Sequence, residues 1–260
     1  MLQVDSVSKI FPRQRGIQKA FARAASEDDV VALRSVGFSV DAGRIVGLVG
    51  PNGAGKTTLM RIISTLLDPS TGSVEVNGYE STTAAVDVRR NIGLVLADDR
   101  SLYWRLTGRQ NLEFFGVMQG LSRSDAVGRS DELLERLGLA HRDKLVFGYS
   151  SGMRARLSLG RAMIGRPPLL LLDEPTRALD PIAADDMADL LRQTAEAGVA
   201  VLLSSHRLDE VENVCDDVVA LVDGGIRFDG TVEELRCNGG FSAALRAMLV
   251  VDPAPAEEQS

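Results

Sequence analysis

Cysteine, histidine and aromatic residues are scarce in this chain, and it has no long apolar run. Its 260 residues include 2 Cys and 2 His, and aromatics make up only 5%. Cys215 and Cys237 support neither a disulfide framework nor a metal cluster, which fits a reducing cytosol. No apolar stretch approaches the length of a membrane span, and the N-terminus lacks a signal peptide's apolar core. If this protein serves a membrane, another chain must cross it. Positive charge is also in deficit, with a net charge of −7 and a pI near 5.0. That balance argues against a broad nucleic-acid footprint, which needs a basic face. One local exception, Lys9 to Arg23, is basic. It reads as solvated surface, with contact to anionic lipid headgroups as the other reading. The remaining composition, 45% hydrophobic and 25% charged, is ordinary for a globular chain of one large domain or two modest ones.

Against that ordinary background, Gly50 to Thr57 reads GPNGAGKT, a complete G-x-x-x-x-G-K-[ST] loop. Before it, Ile45 to Val49 is short, apolar and unbroken, as in a strand buried on both faces. After it, Leu59, Ile62, Ile63, Leu66 and Leu67 recur at helical spacing. A strand that feeds a glycine-rich loop into a helix N-terminus aims several backbone N–H groups at one point. That nest, helped by the helix dipole, holds phosphate oxygens. Gly50, Asn52, Gly53, Ala54, Gly55 and Thr58 are therefore read as binding residues. Lys56 reaches the β- and γ-phosphates, and the Thr57 hydroxyl ligates Mg²⁺. A mere glycine turn does not explain Lys56-Thr57 in that register. The segment implies a nucleoside-triphosphate site.

Elsewhere the pattern predicts strands over Leu2 to Phe11, around Val36, Phe38 and Val40, and at Val74 and Val76 before the Asn77-Gly78 turn. Pro12 to Asp29 reads as a loop or ragged helix. Leu169 to Leu172, Val199 to Leu203 and Val218 to Val222 repeat the Ile45 pattern with helical stretches between them. Alternating buried strands and helices predict a parallel sheet with helices on both faces. Residues 98–161 lack such strands and read as a helical insertion, in which Asp131 to Leu137 ends an amphipathic helix with Gly138 as C-cap. The tail VDPAPAEEQS reads as disordered, and there is no internal repeat.

Leu169 to Glu174 reads LLLLDE. A buried strand ending in Asp puts a carboxylate at the sheet edge where the phosphate loop opens. Asp173 then suits Mg²⁺, and Glu174 lies one residue nearer the γ-phosphate, placed to act as general base. The plainer alternative is a turn before Pro175. His206 follows another apolar run and reaches the same edge, a place for a γ-phosphate contact. Tyr149 to Arg156, YSSGMRAR, starts a helix that Ser150 or Ser151 can cap. A second chain's phosphate is the other partner this N-terminus can take.

In this order GPNGAGKT, YSSGMRAR, LLLLDEP, Ala178-Leu179-Asp180 and Ser205-His206 resemble the ATP-binding cassette (ABC) ATPases, from about Leu2 to Leu235. The resemblance makes them the Walker A, signature, Walker B, D-loop and switch-histidine motifs. It implies an α/β P-loop core with a mainly parallel sheet, an antiparallel β subdomain and a helical subdomain near 98–161. Residues 1–240 then form the ATPase domain and 241–260 a helix end and tail. It implies ATP and Mg²⁺ as cofactors, with ATP sandwiched head-to-tail between two cassettes. Ser150 and Gly152 of one cassette cap the γ-phosphate held by the other. Asp180, of the D-loop, is read as a further ATP-binding residue, and Phe11 matches the aromatic that stacks on adenine. Two features depart from the family pattern. Tyr149, Ser151 and Met153 replace the Leu, first Gly and Gln of the usual signature. At the expected Q-loop glutamine stands Ala97 or Asp98, and Asp98 can ligate Mg²⁺ or position water. With Arg100 to Phe115, these departures resemble the ABC-2 type exporter ATPases. The chain then sits at the cytoplasmic face of a membrane, peripheral through a permease. A soluble ABC ATPase in translation or DNA repair is the alternative; it fits less well because paired cassettes, zinc modules and long coiled coils are missing.

Overall fold

The computed structural model describes residues 1–12, 29–96, 102–139, 143–237 and 239–249. Most of the basic Pro12 to Asp29 stretch, Ala97, Asp98, His141 and the tail from Val251 lie outside the described residues.

Two sheets form the framework. Strands β1 (Leu2–Phe11), β2 (Val30–Val40), β4 (Thr71–Val76) and β5 (Tyr79–Glu80) make an antiparallel sheet in the order β2-β1-β4-β5. The second sheet draws on β3 (Ile45–Val49), β6 (Ile92–Val95), β7 (Leu169–Asp173), β8 (Ala200–Ser204), β9 (Asp217–Val222) and β10 (Gly225–Thr231). Its order is β10-β9-β3-β8-β7-β6, with β9, β3, β8, β7 and β6 parallel and β10 antiparallel. The expected mainly parallel core and the antiparallel β layer are both present. Strand β6, a short run before the expected Q-loop, and the β9–β10 hairpin complete the sheet at its two edges.

The unbroken apolar runs are explained by burial on both faces. Leu169 and Leu171 join Val46, Leu48 and Leu202 in a core shared with the antiparallel sheet and with helix α1 (Lys56–Ile63). Leu170 and Leu172 point the other way, into a core with Val201, Leu203 and two helices, α6 (Pro181–Glu196) and α7 (Leu208–Val214). Helices α3 (Gly108–Met118), α4 (Arg123–Arg136) and α5 (Ser151–Met163) lie between β6 and β7 in sequence, as the helical insertion predicts. Gly138 follows α4 in the left-handed conformation, φ 64°, that the C-cap reading needs. The remaining helices are α2 (Ala85–Arg90), α8 (Val232–Cys237) and α9 (Phe241–Leu249). Phe241 and Leu245 of α9 enter the main core.

One expectation fails locally. Leu66 and Leu67 do not extend the apolar face of α1, because the helix ends at Ile63 and Thr65 takes φ 60°. That reversal leaves Leu66 58% exposed. Among the described residues no helix is long and apolar enough to cross a membrane.

Candidate active site at the carboxyl edge of the parallel sheet

Three neighbouring strands aim their carboxyl ends at one region. Strand β3 leads into the glycine loop, β7 into Asp173-Glu174, and β8 into Ser204-Ser205-His206. The β7–β8 register pairs Asp173 with Ser204, and their side chains meet: Ser204 Oγ donates to Asp173 Oδ1 at 2.5 Å. Asp173 is thereby held at the strand end, with Oδ2 left for a cation.

The loop closes on itself through its lysine. Lys56 is only 8% exposed, and its Nζ donates to the carbonyls of Gly50 at 2.6 Å and Pro51 at 3.1 Å. Burial lowers the Lys56 pKa from the ordinary lysine value, opposed by the negative charge of Glu174 and Asp173. Gly55 precedes α1 with φ 104°, and a Cβ there would come within 2.6 Å of the Ala32 carbonyl. Only glycine fits that corner.

A fit to phosphate can be judged from the helix starts. Thr107, Ser122, Ser150 and Asp180 cap α3, α4, α5 and α6 with their side chains, whereas α1 has no side-chain cap. Its first N–H groups are therefore available to an anion, beside a buried ammonium. The donor set fits a polyphosphate, and the exposed Thr57 hydroxyl with Asp173 fits a hard cation.

Two clefts meet here. One, of about 300 Å³, is lined by the loop from Asn52 to Thr58 together with Asp173, Glu174 and Arg177. The other, of about 610 Å³, shares Asn52, Glu174 and Arg177 and adds His206 and, from α9, Arg246. On the shared rim His206 Nδ1 stands 2.7 Å from Glu174 Oε2. Glu174 itself has φ 50°, an unusual conformation for a bulky residue and one often found at functional sites. It is held by its own N–H, which reaches the Ser204 carbonyl at 3.1 Å and Ser204 Oγ at 3.3 Å.

Lys56, Thr57, Thr58, Asp173, Glu174 and His206 thus converge, as expected. Four other expected residues do not join them. Ser150 and Asp180 act as caps, accepting the N–H of Met153 at 3.2 Å and of Ala183 at 2.9 Å. Gly152 is buried on α5, where a Cβ would meet Ala183 at 3.2 Å. Phe11 pairs with Val30 at the end of β1, under Lys9 Nζ at 5.3 Å, and lines neither cleft. The signature departure at Tyr149 has a local cause: a side chain on Gly108 would collide with the Tyr149 ring, which packs over the start of α3.

Sequence reasoning passed over Ser204, Arg177, Thr176 and Glu210. Ser204 was signalled only by its place at a strand end, two residues before a histidine. Thr176 and Glu210 carried one faint signal, a hydroxyl and an acid spaced just beyond Glu174 and His206.

Comparison with known proteins identifies a family. The family profile described as ABC transporter matches residues 33–177. The chain is 42% identical over 213 residues to the daunorubicin resistance ATP-binding protein DrrA3 of Streptomyces coeruleorubidus, covering 82% of this chain and 67% of that one. It is 35% identical over 207 residues to the ABC transporter ATP-binding protein NatA of Bacillus subtilis, covering 79% and 84%. A solved ATP-binding subunit of an ABC transporter superimposes with TM-score 0.78 at 27% identity, covering 96% of this chain and all of the other. At 24% identity the fold also matches the cassette MJ0796, solved as a dimer bound to ADP and Pi, with TM-score 0.75 over 89% of this chain and 99% of the other. The chain belongs to the ABC transporter family and is an ATP-binding, ATP-hydrolysing cassette.

Proposed function

We propose that this cassette powers an ABC-2 type exporter, docking as a peripheral subunit on the cytoplasmic face of a separate permease. Cassettes of this family work with membrane permeases and dimerise. Export is supported by relatives named for daunorubicin and doxorubicin resistance. Residues 1–240 are taken as the ATPase domain, with 98–161 as its helical insertion. A docking face is supported by exposed aromatics there: Tyr103 packs edge-on against Phe114 at 4.9 Å, Trp104 lies 6.3 Å from Phe147, and Phe147 is 74% exposed. Apolar surface of that kind marks an interaction site.

The observation that carries the catalytic reading is the Glu174–His206 contact on the rim shared by the two clefts. Bound Mg²⁺ would offset the charge of the β- and γ-phosphates, held by Thr57 and Asp173. Lys56 leaves the Gly50 and Pro51 carbonyls for phosphate oxygens, and the first N–H groups of α1 donate to the same anion. Glu174 takes the proton of the attacking water through one oxygen while the His206 N–H holds the other. Ser150, Gly152 and Asp180 lie away from this chain's own cleft, as residues serving a partner cassette should.

The test is Glu174→Gln, which keeps size and hydrogen bonding but cannot accept a proton. General-base assistance is worth roughly 10²–10⁴-fold, so hydrolysis falls by that factor while ATP still binds. Steady-state phosphate release and equilibrium nucleotide binding measure both. Near wild-type turnover would remove Glu174 from the role of base.

A further inference from the structure

Glu210 is a buried carboxylate for which the mechanism above has no use. It lies on α7, 8% exposed, next to the fully buried Val211. Both of its oxygens are engaged. Thr176 Oγ1 donates to Oε1 at 2.6 Å, and Ser205 Oγ donates to Oε2 at 2.5 Å. These two hydroxyls belong to different loops. Thr176 lies two residues beyond Glu174, in a turn closed by the Arg177 N–H on the Glu174 carbonyl at 3.2 Å. Ser205 directly precedes His206, and its Oγ accepts the Arg207 N–H at 3.1 Å. One side chain therefore bridges the segment that carries Glu174 and the segment that carries His206.

We propose that Glu210 is a positioning residue, whose carboxylate locks the Thr176 and Ser205 hydroxyls and so sets the approach of His206 to Glu174. The inference rests on the reading of Glu174 and His206 as the catalytic pair.

The chemistry needs a carboxylate at that point. Both hydroxyls are donors toward it, and an ionised carboxylate accepts through both oxygens without having to donate. Hydrogen bonds from hydroxyls to a carboxylate are short, and these measure 2.6 and 2.5 Å. A burial cost comes with the charge, and an apolar side chain beside Val211 would avoid it. An apolar side chain cannot, however, tie two loops together. The tie matters because the backbone of Glu174 is in the left-handed region, φ 50°, a conformation that lasts only where the surroundings over-determine it. The Ser204 contacts restrain Glu174 from the N-terminal side, and the Thr176–Glu210 bond restrains the turn that follows. With the bridge cut, Glu174 and His206 can drift apart although neither has been changed. A misplacement of about 1 Å costs on the order of 10²-fold in rate.

Thr176→Val and Ser205→Ala each delete one donor with little change in volume. Glu210→Gln keeps an acceptor and a polar partner for both hydroxyls, and Glu210→Ala removes the bridge. Each full-length variant is assayed for kcat, for ATP dissociation constant and for ring nitrogen shifts of ¹⁵N-labelled histidine. The chain has 2 histidines, so His206 is assigned by one spectrum of His206→Gln. The 2.7 Å approach of Nδ1 to Glu174 Oε2 predicts an Nδ1-protonated ring in the wild type. In Thr176→Val and Ser205→Ala, kcat falls about 10- to 100-fold with the dissociation constant unchanged. The ring also moves toward the Nε2-protonated tautomer. Glu210→Gln keeps more activity than Glu210→Ala; if Glu210→Ala does not fold, the two donor deletions decide. Wild-type kcat with an unchanged ring spectrum in both donor deletions overturns the proposal. A loss confined to nucleotide affinity also overturns it. The ring spectrum does not depend on hydrolysis. An active Glu174→Gln protein would sink the catalytic reading while the tautomer still reports whether the bridge holds the loops.

Discussion

Gly47, in the middle of β3, has α7 lying directly over it, and adding one methyl there tests how tightly the site is supported. A Cβ at this position would lie 2.7 Å from Val211 Cγ1 and 3.0 Å from Cys215 Sγ. Carbon atoms in contact prefer roughly 3.5–4.0 Å, so α7 must retreat by about 1 Å to admit alanine. Overpacking of this size costs about 1–3 kcal/mol. Replacing glycine recovers about 0.4–1 kcal/mol through the unfolded chain. The expected net loss for Gly47→Ala therefore lies between about 0 and 2.6 kcal/mol. Val211→Ala alone removes two buried methyls, a loss of about 1–2.5 kcal/mol by the per-methyl cost of core truncation. Together the two changes relieve each other, because Cγ1 is the atom that the new methyl strikes. The double variant should be more stable than the sum of the single effects by about 1 kcal/mol or more. Urea unfolding followed by circular dichroism on the wild type and the three variants supplies the cycle. Because α7 also carries Glu210, turnover should fall in Gly47→Ala and recover in the double variant. Additivity within about 0.5 kcal/mol would refute the contact as the cause.

Two further outcomes are expected. Asn111 is fully buried, with Nδ2 donating to the carbonyls of Tyr103 at 3.0 Å and Thr107 at 2.9 Å and Oδ1 accepting the Tyr103 N–H at 2.8 Å. Asn111→Leu strands the Tyr103 N–H, while the Tyr103 and Thr107 carbonyls keep the backbone N–H groups of Leu106 and Asn111, and should cost about 1–3 kcal/mol in thermal unfolding; no measurable loss would show that water takes over the Tyr103 N–H. Lys56→Met should remove the protein's stabilisation by ATP. Burial lowers the Lys56 pKa, so the folded state binds the proton less well than the unfolded one, and stability rises with pH between the folded pKa and the ordinary 10.5. That slope should vanish in Lys56→Met; an unchanged slope would move its origin to another group.

The parts legible in the sequence are those where one residue type has one job. Leu169 to Leu172 could only be a strand buried on both faces, and the left-handed Gly55 is the residue that its corner requires. Lys56, Asp173, Glu174 and His206 were readable because each ends a strand or opens a helix at the same sheet edge. The end of α1 was not readable. Leu66 and Leu67 keep the helical spacing of Leu59 and Ile63, yet the chain reverses at Thr65, a residue without a turn signature. Strand β6 and hairpin strand β10 were missed for a different reason: their placement depends on pairing with distant segments, β6 on β7 and β10 on β9. Glu210 was hidden most thoroughly, since a glutamate on a short helix looks like solvated surface until Thr176 and Ser205 are seen closing on it.

The absence of a side-chain cap on α1 has a consequence for how this protein is handled. Where α3 to α6 carry their own terminal acceptors, α1, on the reading proposed here, borrows one from solution. A borrowed cap obeys mass action, adding RT ln(1 + [ATP]/Kd) to the stability, about 2.7 kcal/mol at a hundredfold excess over Kd. The folded fraction of this cassette then depends on the nucleotide supply around it. Protein purified into nucleotide-free buffer is a weaker fold than the same protein supplied with ATP, and its melting temperature is a titration curve for its own ligand.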